Sequence, residues 1–186
     1  KFDDITVVLY GDENEIKKCL KDIEYPKGRL EIVNAPEAVS GNDKPIDAIR
    51  MKQNSSMIKA IRDMRENDEI KAFVSCGATG VLVGASILRI GRREGVRRPP
   101  FCPILPTMNG KIVGVCDSGA NIETTPEQLR QYAHLGSEYL HNVYGVENPR
   151  VALLNVGTEE EKGDDLRRAA FALLKDDEEI NFVGNM

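Results

Sequence analysis

Residues 150–174 read RVALLNVGTEEEKGDDLRRAAFALL, which is a strand pattern, a glycine-bearing loop and a helix pattern in direct succession. The apolar run at 150–156 predicts a strand that helices bury on both faces, as in a parallel sheet. Residues 164–174 carry apolar side chains at helical spacing, which predicts an amphipathic helix. This succession of elements is typical of an α/β fold.

Similar patterns occur elsewhere along the chain. Apolar and β-branched runs predict further strands at 5–10, 30–33, 70–75 and 181–184. A short polar helix is predicted at 13–21, and apolar residues near helical spacing predict a helix at 46–67. A helix of small residues is predicted to follow the turn at 76–80 and to run through residue 90. A polar patch interrupts the second of these helices, and we expect its main part to begin near Ser55.

One segment predicts an antiparallel pair of strands. The strand-like runs 101–105 and 111–116 are separated by a segment that contains Asn109 and Gly110. Because Asn-Gly readily adopts the positive φ angles of tight hairpin turns, this dipeptide indicates a β-hairpin.

A long helix is predicted after this hairpin. Thr125 is followed by Pro126 and, three residues after the threonine, by Gln128, which is a capping-box signal with proline at the first helical position. We expect this helix to run to residue 144 and to end at Gly145.

Together these patterns predict an α/β fold of three layers, α/β/α, with a mostly parallel sheet and one antiparallel hairpin. With 186 residues, 41% of them hydrophobic, the chain can bury one substantial core or at most two small ones. We expect a single α/β domain over residues 1–186.

Charge and composition exclude several classes of protein. The chain has 25 Lys and Arg against 30 Asp and Glu, a net charge of -5, so we expect no nucleic-acid partner. No apolar run approaches the length of a membrane span and no signal-sequence pattern opens the chain, which predicts a cytoplasmic protein. The 4 cysteines show no C-x-x-C spacing, so we expect reduced thiols.

Three glycine-rich loops lie where predicted strands end, which is where open α/β sheets bind ligands. They are SCGATG at 75–80, DSGAN at 117–121 and NVGTEEEKG at 155–163. In the first loop, a helix N-terminus exposes amides that suit a phosphate or a carbonyl oxygen, and two hydroxyls can add donors. The alternative is that its glycines only permit a tight turn.

The other two loops also allow two interpretations each. Asp117 and Asn121 offer a carboxylate and an amide that suit a polar ligand, or they form an ordinary Asx-type turn. Lys162 follows three glutamates and is either a phosphate-binding ammonium or a solvated charge in a charged loop.

The three loops occur in the order and approximate spacing of the PlsX family of bacterial acyl-ACP:phosphate acyltransferases, which this chain resembles over its whole length. Further stretches carry the resemblance, namely KP at 44–45, RMK at 50–52, NSSM at 54–57, RPP at 98–100, LPT at 105–107, YAHLGS at 132–137, PRV at 149–151 and NFVGN at 181–185. Two positions depart from the family pattern, Ala78 and Ser118. Members of the family are also longer, so the chain resembles a fragment that lacks N-terminal and C-terminal parts.

The resemblance implies the isocitrate/isopropylmalate dehydrogenase-like and phosphotransacetylase fold. It also implies transfer of a fatty-acyl group from acyl carrier protein to inorganic phosphate for phospholipid synthesis. No cofactor and no metal are needed, because a thioester is already activated and its thiolate leaves readily. The family further implies a homodimer that associates peripherally with the membrane.

Candidate site residues follow from combining the loops with the resemblance. We assign catalytic roles to Lys162, Asp117 and Asn155, with Lys162 neutralising phosphate or the developing oxyanion. The substrate-binding candidates are Ser75, Gly77, Thr79, Gly80, Gly119, Asn121, Gly157 and Gly163. A basic segment with Arg92, Arg93 and Arg97 either docks the acidic carrier protein or is a solvated helix end.

Other functions remain open at the level of sequence. A phosphotransacetylase-like enzyme that uses acyl-CoA would share the fold class and the phosphate chemistry. A non-catalytic module that binds phosphate or acyl-phosphate is the alternative outside enzymes. No Ser-His-Asp or Cys-His arrangement is evident, so His134 and His141 are expected to be surface or packing residues, and Cys76 is not expected to be a nucleophile.

Overall fold

The structure is a computed structural model that describes residues 4–186, so residues 1–3 of the predicted domain lie outside the described residues. The chain divides into two compact units, Lys1–Gly91 and Arg92–Met186. Each unit has its own elements and its own hydrophobic cluster, and each is described separately below. The prediction of one domain over 1–186 stays a prediction.

The first unit contains a parallel strand pair and four helices. Its elements are β1 (Val7–Gly11), α1 (Glu13–Leu20), β2 (Leu30–Asn34), α2 (Pro45–Met51), α3 (Ser56–Glu66) and α4 (Thr79–Arg89). Strands β1 and β2 are parallel, with Val7 opposite Leu30. Helix α3 has Ser55 as its N-cap residue, which confirms the predicted start.

The core of the first unit lies among α2, α3 and α4. The apolar faces of these helices bury side chains that are almost inaccessible to solvent, because each helix carries its apolar residues on one side. The buried members of this cluster are Ala48, Ile49, Met57, Ile58, Ile61, Val81 and Ala85. This packing fixes where the N-terminus of α4 and its preceding loop lie.

The predicted strand at 70–75 is wrong. Within the described part of the chain these residues pair with no other strand, although Phe73 packs against the buried cluster of the first unit. The apolar run therefore reflects the packing of half-buried Phe73 against this cluster and not a strand. A strand requires a partner that completes its hydrogen bonds, and the described residues supply none here.

The second unit contains an antiparallel hairpin, a parallel strand pair and two helices. Its elements are β3 (Ile104–Pro106), β4 (Ile112–Gly114), α5 (Pro126–Tyr144), β5 (Arg150–Leu153), α6 (Asp165–Lys175) and β6 (Asn181–Asn185). Strands β3 and β4 are antiparallel, and β5 and β6 are parallel. The hairpin turns at Gly110, which has a φ of 76°, so the Asn-Gly prediction is confirmed.

Helix α5 has both predicted ends. The Thr125 hydroxyl accepts the Gln128 N–H at 3.3 Å, and the Gln128 side chain accepts the Thr125 N–H at 2.9 Å, which completes a capping box. At the other end Gly145 adopts the left-handed conformation with a φ of 68°. No helix of residues 4–186 combines the length and apolar character needed to cross a bilayer.

The core of the second unit lies between α6 and the β5–β6 pair. Leu153, Ala170 and Leu174 are buried there, and the Phe171 and Phe182 rings meet edge to face with centroids 5.2 Å apart. Because β5 and α6 are both anchored in this cluster, the loop that joins them has fixed ends.

Buried Asp177 connects α5 to the end of α6. Arg130 Nε donates to Asp177 Oδ2 at 2.5 Å, and His134 Nε2 lies 2.8 Å from the same oxygen. Burial alone would raise the pKa of Asp177, but the hydrogen bonds from His134 and Arg130 lower it to about 2. Asp177 is therefore an anion at neutral pH that holds two elements together.

Candidate functional site

A side-chain hydrogen bond from within the loop stabilises the fold of residues 75–80. Ser75 Oγ accepts the Gly77 N–H at 3.0 Å, which tightens the turn before α4. A Cβ atom on Gly77 would lie 2.5 Å from Met57 Cε, the flexible end of a side chain on α3, so the loop backbone passes close to this helix. The same construction on Gly80 would meet Pro45 Cγ at 3.3 Å. The loop backbone therefore lies close to α2 at Gly80 and close to α3 at Gly77.

The N-terminus of α4 has no side-chain cap. Its N-cap residue is Ala78, whose side chain cannot accept a hydrogen bond. The first backbone N–H groups of a helix have no acceptor inside the helix, and they carry the positive end of its dipole. The amides of Thr79 and Gly80 occupy this position, so a capping anion or carbonyl oxygen would complete the helix end.

The loop at 117–121 is organised around Asp117. Its Oδ1 accepts the Phe101 N–H at 2.6 Å and the Ala120 N–H at 3.3 Å. Its Oδ2 accepts the Asn121 N–H at 2.7 Å and the Asn121 Nδ2 at 3.1 Å. Asn121 Nδ2 also donates to Pro99 O at 3.2 Å. Asp117 therefore ties the loop closed on both sides.

These bonds determine the protonation state of Asp117. Burial favours the neutral acid, but the hydrogen bonds from Phe101 and Asn121 outweigh burial, so the pKa of Asp117 is lower than usual. Gly119 has a φ of 93°, and a Cβ there would meet no atom within 4 Å. Glycine is thus needed at 119 for its backbone conformation and not for space.

The loop at 155–163 is closed by Asn155. Its Nδ2 donates to Lys162 O at 3.0 Å, and its Oδ1 accepts the Val156 N–H at 2.9 Å. Gly163 has a φ of 93°, and a Cβ on it would lie 2.4 Å from Asn155 Oδ1. A Cβ on Gly157 would lie 3.0 Å from Lys162 Cγ. Both glycines permit the chain to fold closely around Asn155 and Lys162.

Lys162 presents an unpaired ammonium group on this loop. The residue is exposed, and within residues 4–186 no acidic group forms an ion pair with it. Glu160, two residues earlier, binds Lys175 instead at 2.9 Å. The cation is therefore available to an anionic ligand, although three glutamates precede it in sequence.

The basic segment that opens the second unit lies along α5. Arg93 forms an ion pair with Glu138 at 3.1 Å and keeps 78% of its side chain exposed. Arg92 donates to the carbonyl oxygen of Arg97, and the Arg97 N–H donates to Gln131 Oε1 at 3.2 Å. The segment is thus ordered against the helix and still presents positive charge to solvent.

Each loop brings together its own candidate residues. Ser75 meets Gly77, Asp117 meets Asn121, and Asn155 meets Lys162 and Gly163. The first loop belongs to the first unit, and the other two belong to the second. No hydrogen bond or ion pair joins 117–121 to 155–163 in the part of the chain that the structure describes.

Two buried polar atoms without partners lie close to these loops, and sequence reasoning did not find them. The Tyr132 hydroxyl on α5 is buried and has no hydrogen-bond partner among the described residues. Burial raises its pKa, and so does the charge of Asp117. Asn185 Oδ1 on β6 is also unpaired, while its Nδ2 donates to Glu159 O at 2.8 Å. Both residues lie in stretches that carry the family resemblance. That resemblance was the feature of the sequence that could have marked them as candidate site residues.

A group with metal-ligand chemistry also lies in the second unit. One ligand atom each from His134, Asp177 and Glu179 lies within 4.8 Å of the others. The Arg130 guanidinium, however, already donates to Asp177 at 2.5 Å. The Arg130 guanidinium thus supplies the positive charge that a metal ion would otherwise supply. The cluster is therefore a structural ion pair.

Comparison with known proteins identifies the family. The family model described as fatty acid synthesis protein matches residues 1–186. The chain belongs to this family. The resemblance to PlsX is thereby confirmed over the whole chain. In this family member Ala78 is the half-buried N-cap of α4 and packs against the buried cluster of the first unit, whereas Ser118 is exposed on the 117–121 loop.

Curated relatives carry a consistent description. The phosphate acyltransferases of Dictyoglomus thermophilum and Bacillus cereus strain ATCC 14579 are 40% and 42% identical to the chain over 186 residues. The phosphate acyltransferase of Geobacillus thermodenitrificans is 42% identical over 185 residues. The matched region is 100% of this chain and 54% to 55% of these relatives. The chain therefore spans about half their length.

A solved structure supports the fold. EutD phosphotransacetylase from Staphylococcus aureus superposes with a TM-score of 0.60 at 17% identity, covering 98% of this chain and 60% of that chain. At this identity the likeness concerns the fold alone. The predicted α/β class, its parallel strands with one antiparallel pair and its phosphotransacetylase-like fold are confirmed. The six strands form three two-stranded sheets in the described residues.

Proposed function

We propose that this family member is part of an enzyme that transfers a fatty-acyl group from acyl carrier protein to inorganic phosphate, giving acyl-phosphate for phospholipid synthesis. The observation that carries the proposal is the 40% to 42% identity, over the whole chain, to proteins named phosphate acyltransferase. The unpaired ammonium of Lys162 and the uncapped N-terminus of α4 add to it, because both suit oxyanions.

This reaction requires the protein mainly to position the substrates and to stabilise negative charge on the carbonyl oxygen. A phosphate oxygen attacks the carbonyl carbon of the thioester, and the carbonyl oxygen becomes negative. The C–S bond then breaks, and the carrier-protein thiolate leaves and takes up a proton. Catalysis therefore rests on holding phosphate in line and stabilising the developing negative charge. A covalent intermediate on the protein is not required.

Within this proposal each loop has a role of its own. Lys162 neutralises phosphate or the developing oxyanion, and Asn155 positions it by holding the Lys162 carbonyl oxygen at 3.0 Å. The 75–80 loop offers the amides of Thr79 and Gly80 to an oxygen of the substrate. Asp117 keeps the 117–121 loop closed and acts as a positioning residue, because the loop itself uses both of its oxygens.

The test is the phosphate-dependent release of free carrier-protein thiol from long-chain acyl-ACP, together with detection of acyl-phosphate. We expect both products in equal amounts and none without phosphate. Release of thiol without acyl-phosphate would mean thioester hydrolysis and would contradict the proposal. Binding of phosphate or acyl-phosphate without turnover would favour the non-catalytic module.

A second candidate is an acyl-CoA:phosphate acyltransferase of the phosphotransacetylase kind. The fold likeness to EutD phosphotransacetylase favours it, at a TM-score of 0.60. Donor preference separates the two enzymes, since the carrier-protein enzyme should have a much higher kcat/KM for acyl-ACP than for the matching acyl-CoA. Equal or reversed preference would support the second candidate.

We further propose that the basic segment docks the acidic carrier protein. Arg93 is 78% exposed, and the segment's order against α5 gives its charges fixed positions. Complementary charge speeds association, so reversing Arg92 and Arg93 to Glu should raise KM for acyl-ACP at low salt while leaving kcat near normal. An unchanged KM would exclude this surface.

The family resemblance also leads us to propose a cytoplasmic homodimer with peripheral membrane association. Light scattering of the purified protein tests the dimer, and a mass of one chain would contradict it. Flotation with anionic vesicles tests membrane association. Recovery of all protein in the vesicle-free fraction would contradict that part alone.

A further inference from the structure

Two cysteine thiols face each other at the open end of the β3–β4 hairpin. The antiparallel register continues one residue pair beyond the strands, because the Val115 N–H donates to Pro103 O at 3.1 Å. The next pair in this register is Cys102 and Cys116. These residues are far apart in sequence and become neighbours only through the hairpin.

The type of pair they form suits a disulfide. Hydrogen-bonded and non-hydrogen-bonded pairs alternate along an antiparallel ladder, and Pro103 and Val115 are hydrogen-bonded. Cys102 and Cys116 thus occupy a non-hydrogen-bonded pair, where opposite Cα atoms lie about 4.5 Å apart and side chains approach closely. That separation falls within the range of about 4.4 to 6.8 Å found in disulfides. The two thiols are close enough that each affects the pKa of the other.

Glycines surround both sulfur atoms. A Cβ on Gly114 would lie 3.2 Å from Cys102 Sγ, and a Cβ on Gly136 of α5 would lie 3.9 Å from Cys116 Sγ. Because neither glycine has a side chain, the thiols have room to rotate toward each other. A disulfide would bring the two sulfurs to a bonding distance of about 2.05 Å.

We infer that Cys102 and Cys116 are an oxidation site, which forms a reversible intramolecular disulfide with a small-molecule disulfide as oxidant. The Cys102 thiolate attacks one sulfur of the oxidant and displaces a small thiolate. The Cys116 thiolate then attacks the Cys102 sulfur of this mixed disulfide and displaces the second small thiolate. The two cysteine protons end on the two small thiols, so the protein loses two electrons and the oxidant gains them.

The site lies directly beside the 117–121 loop. Cys116 precedes Asp117, and Cys102 follows Phe101, whose N–H donates to Asp117 at 2.6 Å. A disulfide would therefore add a covalent link next to the hydrogen bond that anchors the loop. The bond rigidifies the base of this loop whatever reaction the protein performs. Disulfides in reducing compartments are typically transient or redox-sensing, which fits a reversible bond here.

The thiols are protected from rapid oxidation. Burial raises the pKa of Cys102, and burial and the neighbouring thiol raise the pKa of Cys116. Since the thiolate is the nucleophile, oxidation is expected to be slow at neutral pH. Its rate should rise about tenfold per pH unit between pH 7 and pH 8, while both pKa values remain above this range.

The experiment incubates the unsubstituted chain with excess oxidised glutathione, quenches with acid and identifies linked peptides in a non-reduced digest. We expect one peptide pair that joins Cys102 to Cys116 with the loss of two hydrogens, in a protein that stays monomeric in mass on a denaturing gel. Dithiothreitol should restore both thiols. Glutathione adducts on the two cysteines without a bond between them, or thiols that remain alkylatable at equilibrium, would overturn the inference.

Matched variants identify the residues. The double variant C19S/C76S retains the pair and should oxidise at the same rate as the unsubstituted chain, whereas C102S and C116S should form no such bond. Hydrogen exchange then measures the effect on the loop. We expect the amides of 117–121 to exchange at least several-fold more slowly in the oxidised form, and equal exchange would contradict the proposed link to the loop.

Discussion

The side-chain oxygen of Asn155 lies 2.4 Å from the position that a Cβ atom on Gly163 would occupy. Gly163 also has a φ of 93°, which disfavours other residues. Asn155 Nδ2 meanwhile binds Lys162 O at 3.0 Å, so the three residues form the closed end of one loop. The loop that carries Lys162, the proposed phosphate-binding residue, thus requires a residue without a Cβ atom at position 163.

Gly163→Ala should destabilise the fold by about 2–4 kcal/mol, because it combines a strained φ with a steric clash. Gly110→Ala is the matched control. Gly110 has a φ of 76°, but a Cβ there meets nothing within 4 Å, so we expect a loss of about 1 kcal/mol. Urea unfolding measures both free energies. Equal losses for the two variants would show that the contact with Asn155 contributes nothing.

Lys162→Ala should lower kcat/KM for phosphate by about 100-fold or more, because it removes the charge that stabilises an oxyanion. The fold should stay intact, since the ammonium forms no ion pair within residues 4–186. Lys175→Ala is the control on the same unit, where an exposed ion pair with Glu160 is worth little. It should keep activity within twofold. Near-normal acyl-phosphate formation by the Lys162 variant would refute its assignment.

Asp177→Asn should lower the free energy of unfolding by about 2–4 kcal/mol, because Arg130 and His134 lose their shared anion. The pKa of Asp177 is lowered from 3.8 to about 2, so its contribution is complete above about pH 4. It then disappears as the pH falls to about 2.

Unfolding curves of the Asp177 variant and the unsubstituted chain should therefore differ at pH 6 and converge toward pH 2. Asp176→Asn is the neighbouring control, because Asp176 is exposed. It should change stability by less than about 0.5 kcal/mol. A difference between the Asp177 variant and the unsubstituted chain that stays constant with pH would contradict this explanation.

Asp117→Asn should loosen the 117–121 loop, because an amide cannot accept from Phe101, Ala120 and Asn121 as a carboxylate does. We expect a stability loss of about 1–3 kcal/mol and faster amide exchange in the loop. The pKa of Asp117 is lower than usual, so this contribution is present above its ordinary pKa and is lost as the pH falls further. Ser118→Ala, on the exposed neighbour, should leave exchange unchanged. Unaltered exchange in the Asp117 variant would contradict its role in closing the loop.

Elements with strong local signals were predicted well from sequence. Helix α5 begins at the Thr125 capping box and ends before Gly145, and the β3–β4 hairpin turns at Gly110. These features depend on residues only a few positions apart, so a short stretch of sequence contains the physical cause. The strand predicted at 70–75 failed because a strand also requires a partner elsewhere in the chain.

The sequence by itself determined the α/β class, the family and the positions of the three loops, since periodicity, caps and glycine turns are local and the motifs are long. Only the tertiary structure decided which side chains meet. Asp177 joins Arg130 and His134 across more than 40 residues, and Cys102 meets Cys116 through the hairpin register. The Asp177 contacts arise because packing brings distant residues together, which no local pattern in the sequence encodes. The hairpin was predictable from its turn, but only the observed strand register pairs Cys102 with Cys116.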